Sequence, residues 1–238
     1  MKVVILSGGK GTRLAPYTTS FPKSLVPVGD KPILELVIRQ LVSHGFKEII
    51  LAVGHLSELM RAYFNKKNKF GAKIKFSYEK KPLGTVGPLY LIRNELKDTF
   101  ILMNCDDLTD INHKKLVEFH KENKSVATIA LTRKVVDVNL GVVELDKEGF
   151  ISGWQEKPKI NYLVSMGIYV FEPEVLNYIK PNKKLDLPDL IKKLMKMGKK
   201  VKGYIHDGYW LDIGRPEDYV KACEDIKNLK KAKNGFLL

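Results

Sequence analysis

Gly8-Gly9-Lys10-Gly11 places three glycines in four residues, directly after a short apolar run from Lys2 to Leu6. Glycines at such a turn let the backbone approach a ligand closely, and let consecutive N–H groups converge on one anion. Arg13 follows at once, and Pro22-Lys23 brings a lysine ten residues later. Arginine can fork onto phosphate oxygens, and lysine can act there as a point charge. Two familiar phosphate loops are excluded. A dinucleotide fingerprint needs a third glycine where Leu14 stands, and a Walker A loop ends in Gly-Lys-Ser/Thr. The glycines alone leave a phosphate loop and a plain tight turn both open. Two aspartates add to the set. Asp106 comes just after the apolar run Phe100 to Asn104, and Asp212 follows Tyr209-Trp210-Leu211. A carboxylate at such a place can hold a hard divalent cation or can cap a turn. Extended backbone would turn Asp107 to the side opposite Asp106, so Asp107 and Asp110 read as loop carboxylates. No cysteine or histidine falls into a nucleophile–base arrangement.

These residues need elements to hold them. Lys2 to Leu6 reads as a buried parallel strand ending in glycines. Asp30-Lys31-Pro32 predicts a helix start, with Asp30 as cap and Pro32 in the first turn. Ile33, Leu34, Val37, Ile38 and Leu41 recur at helical spacing, and Gly45 closes that helix. Strands follow at Glu48 to Val53, Lys73 to Tyr78, Thr99 to Asn104 and Ser125 to Leu131. Helices are expected from Ser57, over Pro88 to Leu96 and over His113 to Glu122. Alternating strands and helices imply an α/β fold with a mainly parallel sheet covered on both faces. After about residue 135 the rhythm changes. Gly141 to Leu145, Phe150 to Gln155 and Ser165 to Phe171 read as successive strands. Helices return over Pro173 to Ile179, Leu187 to Met197 and Pro216 to Lys227. In open α/β sheets, ligands sit beyond the carboxyl ends of the strands.

The chain has 238 residues, 44% of them apolar and 29% charged. That suits one large globular domain that needs no covalent staples. Its two cysteines, Cys105 and Cys223, form no CxxC pair and read as free thiols of a reducing compartment. The start is too short in apolar residues for a signal peptide, and no run approaches a membrane span. A cytoplasmic protein is expected. The net charge is +14. Its densest basic runs, Asn65 to Lys69 and Lys227 to Lys231, lack interleaved aromatics and read as solvated loop or tail. Small anionic substrates are therefore expected as partners, rather than nucleic acid or a membrane surface.

The motifs together resemble one family. Leu6-Ser7-Gly8-Gly9-Lys10-Gly11-Thr12-Arg13-Leu14, then Phe21-Pro22-Lys23, Leu25-Val26-Pro27-Val28 and Lys31-Pro32-Ile33-Leu34-Glu35 look like the start of a sugar-1-phosphate nucleotidylyltransferase. Glu79 with Pro82-Leu83-Gly84-Thr85-Val86-Gly87 resembles its base-side segment. Asn104-Cys105-Asp106, Leu140-Gly141-Val142-Val143, Glu156-Lys157-Pro158, Gly167 to Phe171 and Trp210-Leu211-Asp212-Ile213-Gly214 follow in family order.

The resemblance implies a single Rossmann-like, GT-A-like domain over residues 1–238, with a mixed, mainly parallel sheet. About 1–135 would bind nucleotide and about 136–238 the sugar phosphate. It also implies roles. Leu6, Gly8, Gly9, Gly11, Thr12, Pro82 and Gly84 would line the nucleotide, with Arg13 and Lys23 on its phosphates. Asp106 and Asp212 would carry Mg2+. Lys157 would hold the sugar phosphate, with Gly141, Glu156 and Gly167 against the sugar. Arg13, Lys23, Asp106, Lys157 and Asp212 form the expected catalytic set. The implied reaction joins an NTP to a sugar 1-phosphate and releases pyrophosphate. The segment Leu83 to Gly87 is similar to that of mannose-1-phosphate guanylyltransferases, which favours GTP. A thymidylyl-, uridylyl- or cytidylyltransferase stays open, as do another phosphate acceptor, a catalytically silent nucleotide-sugar-binding subunit and a homo-oligomer. Cys105 stands where the family has glycine, which narrows backbone freedom there.

Overall fold

The computed structural model describes residues 1–65 and 70–231, with the side chains of 229–231 left out. The basic run at Asn65 to Lys69 thus lies outside the described residues, apart from Asn65. Strand β1 (Lys2–Ser7) leads into the glycine turn. A small hairpin of β2 (Pro27–Val28) and β3 (Lys31–Pro32) precedes α1 (Ile33–Ser43). Then come β4 (Glu48–Val53), α2 (Ser57–Phe64), β5 (Lys73–Tyr78), β6 (Phe100–Asn104), β7 (Asp107–Thr109) and α3 (His113–Glu122). The second half holds β8 (Ala127–Asp137), β9 (Val142–Leu145), β10 (Ile151–Gln155) and β11 (Lys159–Phe171). It ends with α4 (Leu187–Lys196), β12 (Val201–Ile205), β13 (Trp210–Asp212) and α5 (Pro216–Lys231).

Seven strands form one sheet in the order β12-β8-β11-β6-β1-β4-β5. Only β11 runs against its neighbours; the other pairings are parallel. The expected mixed, mainly parallel sheet is therefore present. Its central strands are buried on both faces, so apolar residues occupy consecutive positions. On β1, Val3 and Ile5 join the core packed under α1, α2 and α3. Val4 points the other way, into the core under α4. β6 divides in the same way, with Ile101 and Met103 against Phe100 and Leu102. A third, smaller core joins Leu108 of β7 and Leu211 of β13 to Ala222 and Ile226 of α5.

Several expectations change in detail. Asp30 does not cap α1: it sits in the β2–β3 turn, and Pro32 takes the cap position without a side-chain bond. The end of α1 is as expected, since Phe46 N–H bonds to the Leu41 carbonyl and Gly45 N–H to that of Val42, with Gly45 at φ 87°. Over Pro88 to Leu96 and Pro173 to Ile179 the chain forms short 3-10 helices, Gly87–Ile92 and Pro173–Tyr178. β8 and β11 are longer than their sequence signals, and β7, β12 and β13 carry too few apolar positions to show a period. Among the described residues no helix is long and apolar enough to cross a membrane.

Candidate active site

β1 and β6 lie side by side, with Leu6 opposite Asn104. Their carboxyl ends therefore open onto the same space. The glycine turn leaves β1 there and closes on itself. Gly11 at φ 65° has its carbonyl bound by the Thr18 hydroxyl at 2.7 Å and by Leu14 N–H at 2.9 Å. Gly8 lies against Glu79: a Cβ there would meet the Glu79 carboxylate, which would have to move aside. A Cβ on Gly9 would meet no atom within 4 Å, so the space on that side of the turn is open. Across from the turn, a 3-10 segment (Lys23–Leu25) aims the Lys23 ammonium at Asp106 Oδ2, with which it forms a mostly buried ion pair.

The decisive pairing is that of β7 with β13. Their antiparallel register sets Asp212 opposite Asp107, and Ile213 N–H bonds to the Asp106 carbonyl at 3.1 Å. As a result, one carboxylate oxygen from each of Asp106, Asp107 and Asp212 lies within 4.8 Å of the others. Asp107 was expected to be a separate loop carboxylate; it is 2% exposed and belongs to this cluster. Its Oδ1 accepts from Trp210 Nε1 at 3.2 Å, and its Oδ2 has no partner. Asp110 does lie apart, accepting from His206 Nε2 at 2.6 Å.

Burial pushes the Asp107 carboxyl well above the usual carboxylate range, and the charges of Asp106 and Asp212 add to this. Asp212 is raised for the same reasons, with Lys23 and Arg13 pulling it back. For Lys23, burial works against the ammonium, but attraction to and a hydrogen bond with Asp106 outweigh it, so its pKa rises. Three carboxyls, one with an orphaned buried oxygen, form an oxygen donor set suited to a hard divalent cation, and the Lys23 ammonium offsets part of their charge.

Leu6, Gly9, Gly11, Thr12, Arg13, Lys23, Asp106 and Asp212 line one cleft of about 360 Å³, together with Thr85. Gly214 borders both Arg13 and Asp212: a Cβ there would be in ordinary contact with Arg13 Nη1 at 3.5 Å and tight against Asp212 Oδ2 at 3.1 Å. The remaining predicted residues lie elsewhere. Gly8 is in the turn but faces Glu79 and Gly54 rather than the cleft. Pro82 and Gly84 precede Thr85; Gly84, at φ 79°, packs against Asp186 and the Leu185 carbonyl. Gly167, at φ 75°, lies against Asn104 and Asp107, behind the carboxylates rather than in the cleft. Gly141 packs on Trp154 and Glu156 in the β9–β10 region, and Lys157 follows in a left-handed conformation, φ 45°. The sequence motifs include Thr85 and Trp210 without assigning them a role, whereas Thr85 lines the cleft and Trp210 donates to Asp107; Arg133, Arg215 and Lys221 were not singled out. Those cations border a second depression, which shares Arg13, Asp212 and Gly214 with the cleft.

A doubly covered, mainly parallel sheet places ligands beyond its strand ends, and the cations and carboxylates that meet there suit a phosphate group with a metal ion. Comparison narrows this. The family model described as nucleotidyl transferase matches residues 2–228. The chain is 36% identical over 255 residues to the UTP–glucose-1-phosphate uridylyltransferase of Synechocystis sp., covering 97% of this chain and 66% of that protein. It is equally, 36%, identical over 250 residues to the mannose-1-phosphate guanyltransferase of Schizosaccharomyces pombe, covering 100% of this chain and 68% of that one. The chain thus spans about two thirds of the length of these curated relatives. A crystal structure of HddC from Yersinia pseudotuberculosis complexed with GMP-PN matches with a TM-score of 0.74 and 28% identity, covering 94% of this chain and 99% of that chain. The chain belongs to the nucleotidyl transferase family.

Proposed function

We propose that the protein joins an NTP, GTP by preference, to a hexose 1-phosphate such as mannose 1-phosphate, releasing pyrophosphate. The observation that carries this reading is the convergence of Arg13, Lys23, Asp106 and Asp212 on one cleft below the glycine turn. The sugar phosphate oxygen attacks the α-phosphorus as the bond to pyrophosphate breaks. The barrier is mainly one of bringing two polyanions together in line. Arg13 grips the outer phosphates and Lys23 the reacting one. The open backbone at Gly9, Gly11 and Thr12 receives further phosphate oxygens, and Leu6, Gly8, Pro82, Gly84 and Thr85 bound the nucleoside. Asp106 and Asp212 would hold Mg2+, which would supply charge neutralisation for the phosphates. Residues from about 136 onward form the acceptor side, where Lys157 binds the sugar phosphate and Gly141, Glu156 and Gly167 the sugar. The work is done in the cytosol, on small molecules.

Glu79 supports the choice of base. It stands against Gly8 and accepts from Leu83 N–H at 3.1 Å. A carboxylate beside the base pocket favours guanine, whose N1–H and N2–H are adjacent donors. A second reading, uridylyl transfer to glucose 1-phosphate, has the Synechocystis relative in its favour. Pyrophosphate release measured over a matrix of GTP, UTP, dTTP and CTP against several sugar 1-phosphates separates the two. GTP with mannose 1-phosphate is expected to turn over fastest. Absence of turnover for every pair with Mg2+ would overturn both readings and leave a silent nucleotide-sugar-binding subunit.

A further inference from the structure

Beside the cleft lies a wider depression of about 610 Å³, formed where β13 and the start of α5 meet Thr132 to Lys134 of β8. Its size suits a small ligand, since such sites run to about 300–1,000 Å³. Five cations line it, Arg13, Arg133, Lys134, Arg215 and Lys221, against the carboxylates of Asp212, Glu217 and Asp218. Those carboxylates are already engaged. Asp218 accepts from Arg215 N–H at 3.0 Å, Glu217 stands 3.7 Å from Arg215 Nη1, and Asp212 belongs to the carboxylate cluster. The cations are less committed. Arg13, Lys134 and Lys221 enter no ion pair among the described residues. Arg133 with Asp207 and Arg215 with Glu217 join side chains that are 63–72% exposed, and such pairs hold weakly. The frame around them is firm. α5 opens with Tyr219 N–H on the Arg215 carbonyl at 3.0 Å and is seated by Ala222 and Ile226 in the third core. Trp210 borders the depression and is fixed through its Nε1 to Asp107 and the Met166 carbonyl.

The depression and the cleft share Arg13, Asp212 and Gly214. An anion held by Arg13 in the cleft therefore has a second cationic surface directly beside it. The proposed reaction makes one such anion, pyrophosphate, cut from the outer phosphates that Arg13 grips. Held between Arg13 and Lys23 alone, so highly charged a product would leave slowly, and product release limits turnover in many enzymes. A neighbouring group of uncommitted cations lowers that barrier by drawing the anion out. Arginine forks onto its phosphate oxygens and lysine adds a point charge. A hexose fits the depression poorly. Glu217 and Asp218 are engaged and offer little to sugar hydroxyls, and Gly141, Glu156 and Lys157 do not line it. We propose that the depression is a release site for pyrophosphate, in which Arg215, Lys221 and Arg133 take the anion over from Arg13. The identity of the anion rests on the reading of the reaction given above.

Calorimetric titration of sodium pyrophosphate into the full chain, without nucleotide, sugar phosphate or metal, tests it. Arg215→Gln and Lys221→Gln are each expected to weaken binding about tenfold, the scale of one hydrogen bond to a charged group. Lys227→Gln removes a charge from the exposed surface of the same helix, outside the depression, and is expected to change binding by less than about twofold. Circular dichroism checks that each variant folds. In steady state the first two substitutions are expected to raise the Ki of pyrophosphate as product inhibitor by a like factor, with KM for the hexose 1-phosphate unchanged. A chain that turns over no substrate pair, yet loses pyrophosphate affinity in both variants, keeps the site and loses the reaction. Turnover with pyrophosphate affinity untouched by both substitutions would overturn the site alone. So would an equal loss in Lys227→Gln, which leaves only the general field of the chain. Weaker binding of mannose 1-phosphate in place of pyrophosphate would overturn it as well, since the depression would then serve the acceptor.

Discussion

Lys23 and Asp106 are in direct contact, so the free protein neutralises one carboxylate of the cluster with its own ammonium. Removing either charge leaves the other half-buried and unmatched, and takes away a group aimed at the reacting phosphate. Asp106→Asn and Lys23→Met are each expected to lower kcat/KM by at least ~100-fold, the scale for a preorganised charge donor. Asp107 differs. Burial and the charges of its two neighbours push its carboxyl up, and it does not line the cleft that Asp106 and Asp212 share. Asp107→Asn is expected to keep activity within about tenfold, whereas Asp212→Asn should behave like Asp106→Asn. Steady-state pyrophosphate release checks all four. Cys105 fills the family's glycine position without strain, because its backbone is not in the left-handed region. Its thiol accepts from the Ser24 hydroxyl at 3.2 Å, and burial with the nearby Asp106 charge pushes it up to about 12. A disulfide reagent at pH 8 is therefore expected to titrate one thiol quickly, that of half-buried Cys223, and Cys105 only on unfolding.

Strand β13 has three residues and little pattern, yet it delivers Asp212. It is held by Leu211 and Ile213 in the small third core, and by Trp210, whose Nε1 donates to Asp107 and to the Met166 carbonyl at 3.2 and 3.1 Å. Trp210→Phe leaves two buried acceptors without a donor. It is expected to cost about 1–3 kcal/mol by urea denaturation, with a larger loss of metal-dependent activity than of fold. α1 and α3 are tied by another polar contact, His44 Nδ1 to His113 Nδ1 at 3.0 Å. Burial lowers the His113 pKa to about 3, with His44 and His206 adding to this. Its folded value lies below its unfolded value of about 6.5. The stability it contributes is therefore complete above pH 6.5 and is lost as pH falls towards 3. One such group predicts a slope of about 1.4 kcal/mol per pH unit below 6. Denaturation at pH 7 and pH 5 should show that loss, and His113→Asn should flatten it.

Across the molecule, 41 basic residues against 27 acidic ones set up a field that draws polyanions to the cleft. Salt screens that field over about 8–10 Å at physiological strength. KM for the nucleotide is expected to rise with KCl while kcat changes little, which initial-rate measurements over a salt series would show. The α/β layering was legible because each central strand is a run of consecutive apolar residues and each helix has an amphipathic stripe. β4, β5 and α3 fall where their periods put them. The glycine turn and its cations were legible too, because they are contiguous or nearly so. The carboxylate cluster was only half legible. Local geometry assigned Asp107 to the wrong side, since the bend between β6 and β7 breaks the alternation on which that reading rests. No spacing rule joins Asp107 to Asp212 across 105 positions; their pairing is made by a ladder of three residues and a shared core. Side chains close in sequence meet through backbone geometry that residue types encode directly. Those far apart meet only when the whole chain has found which surfaces pack together.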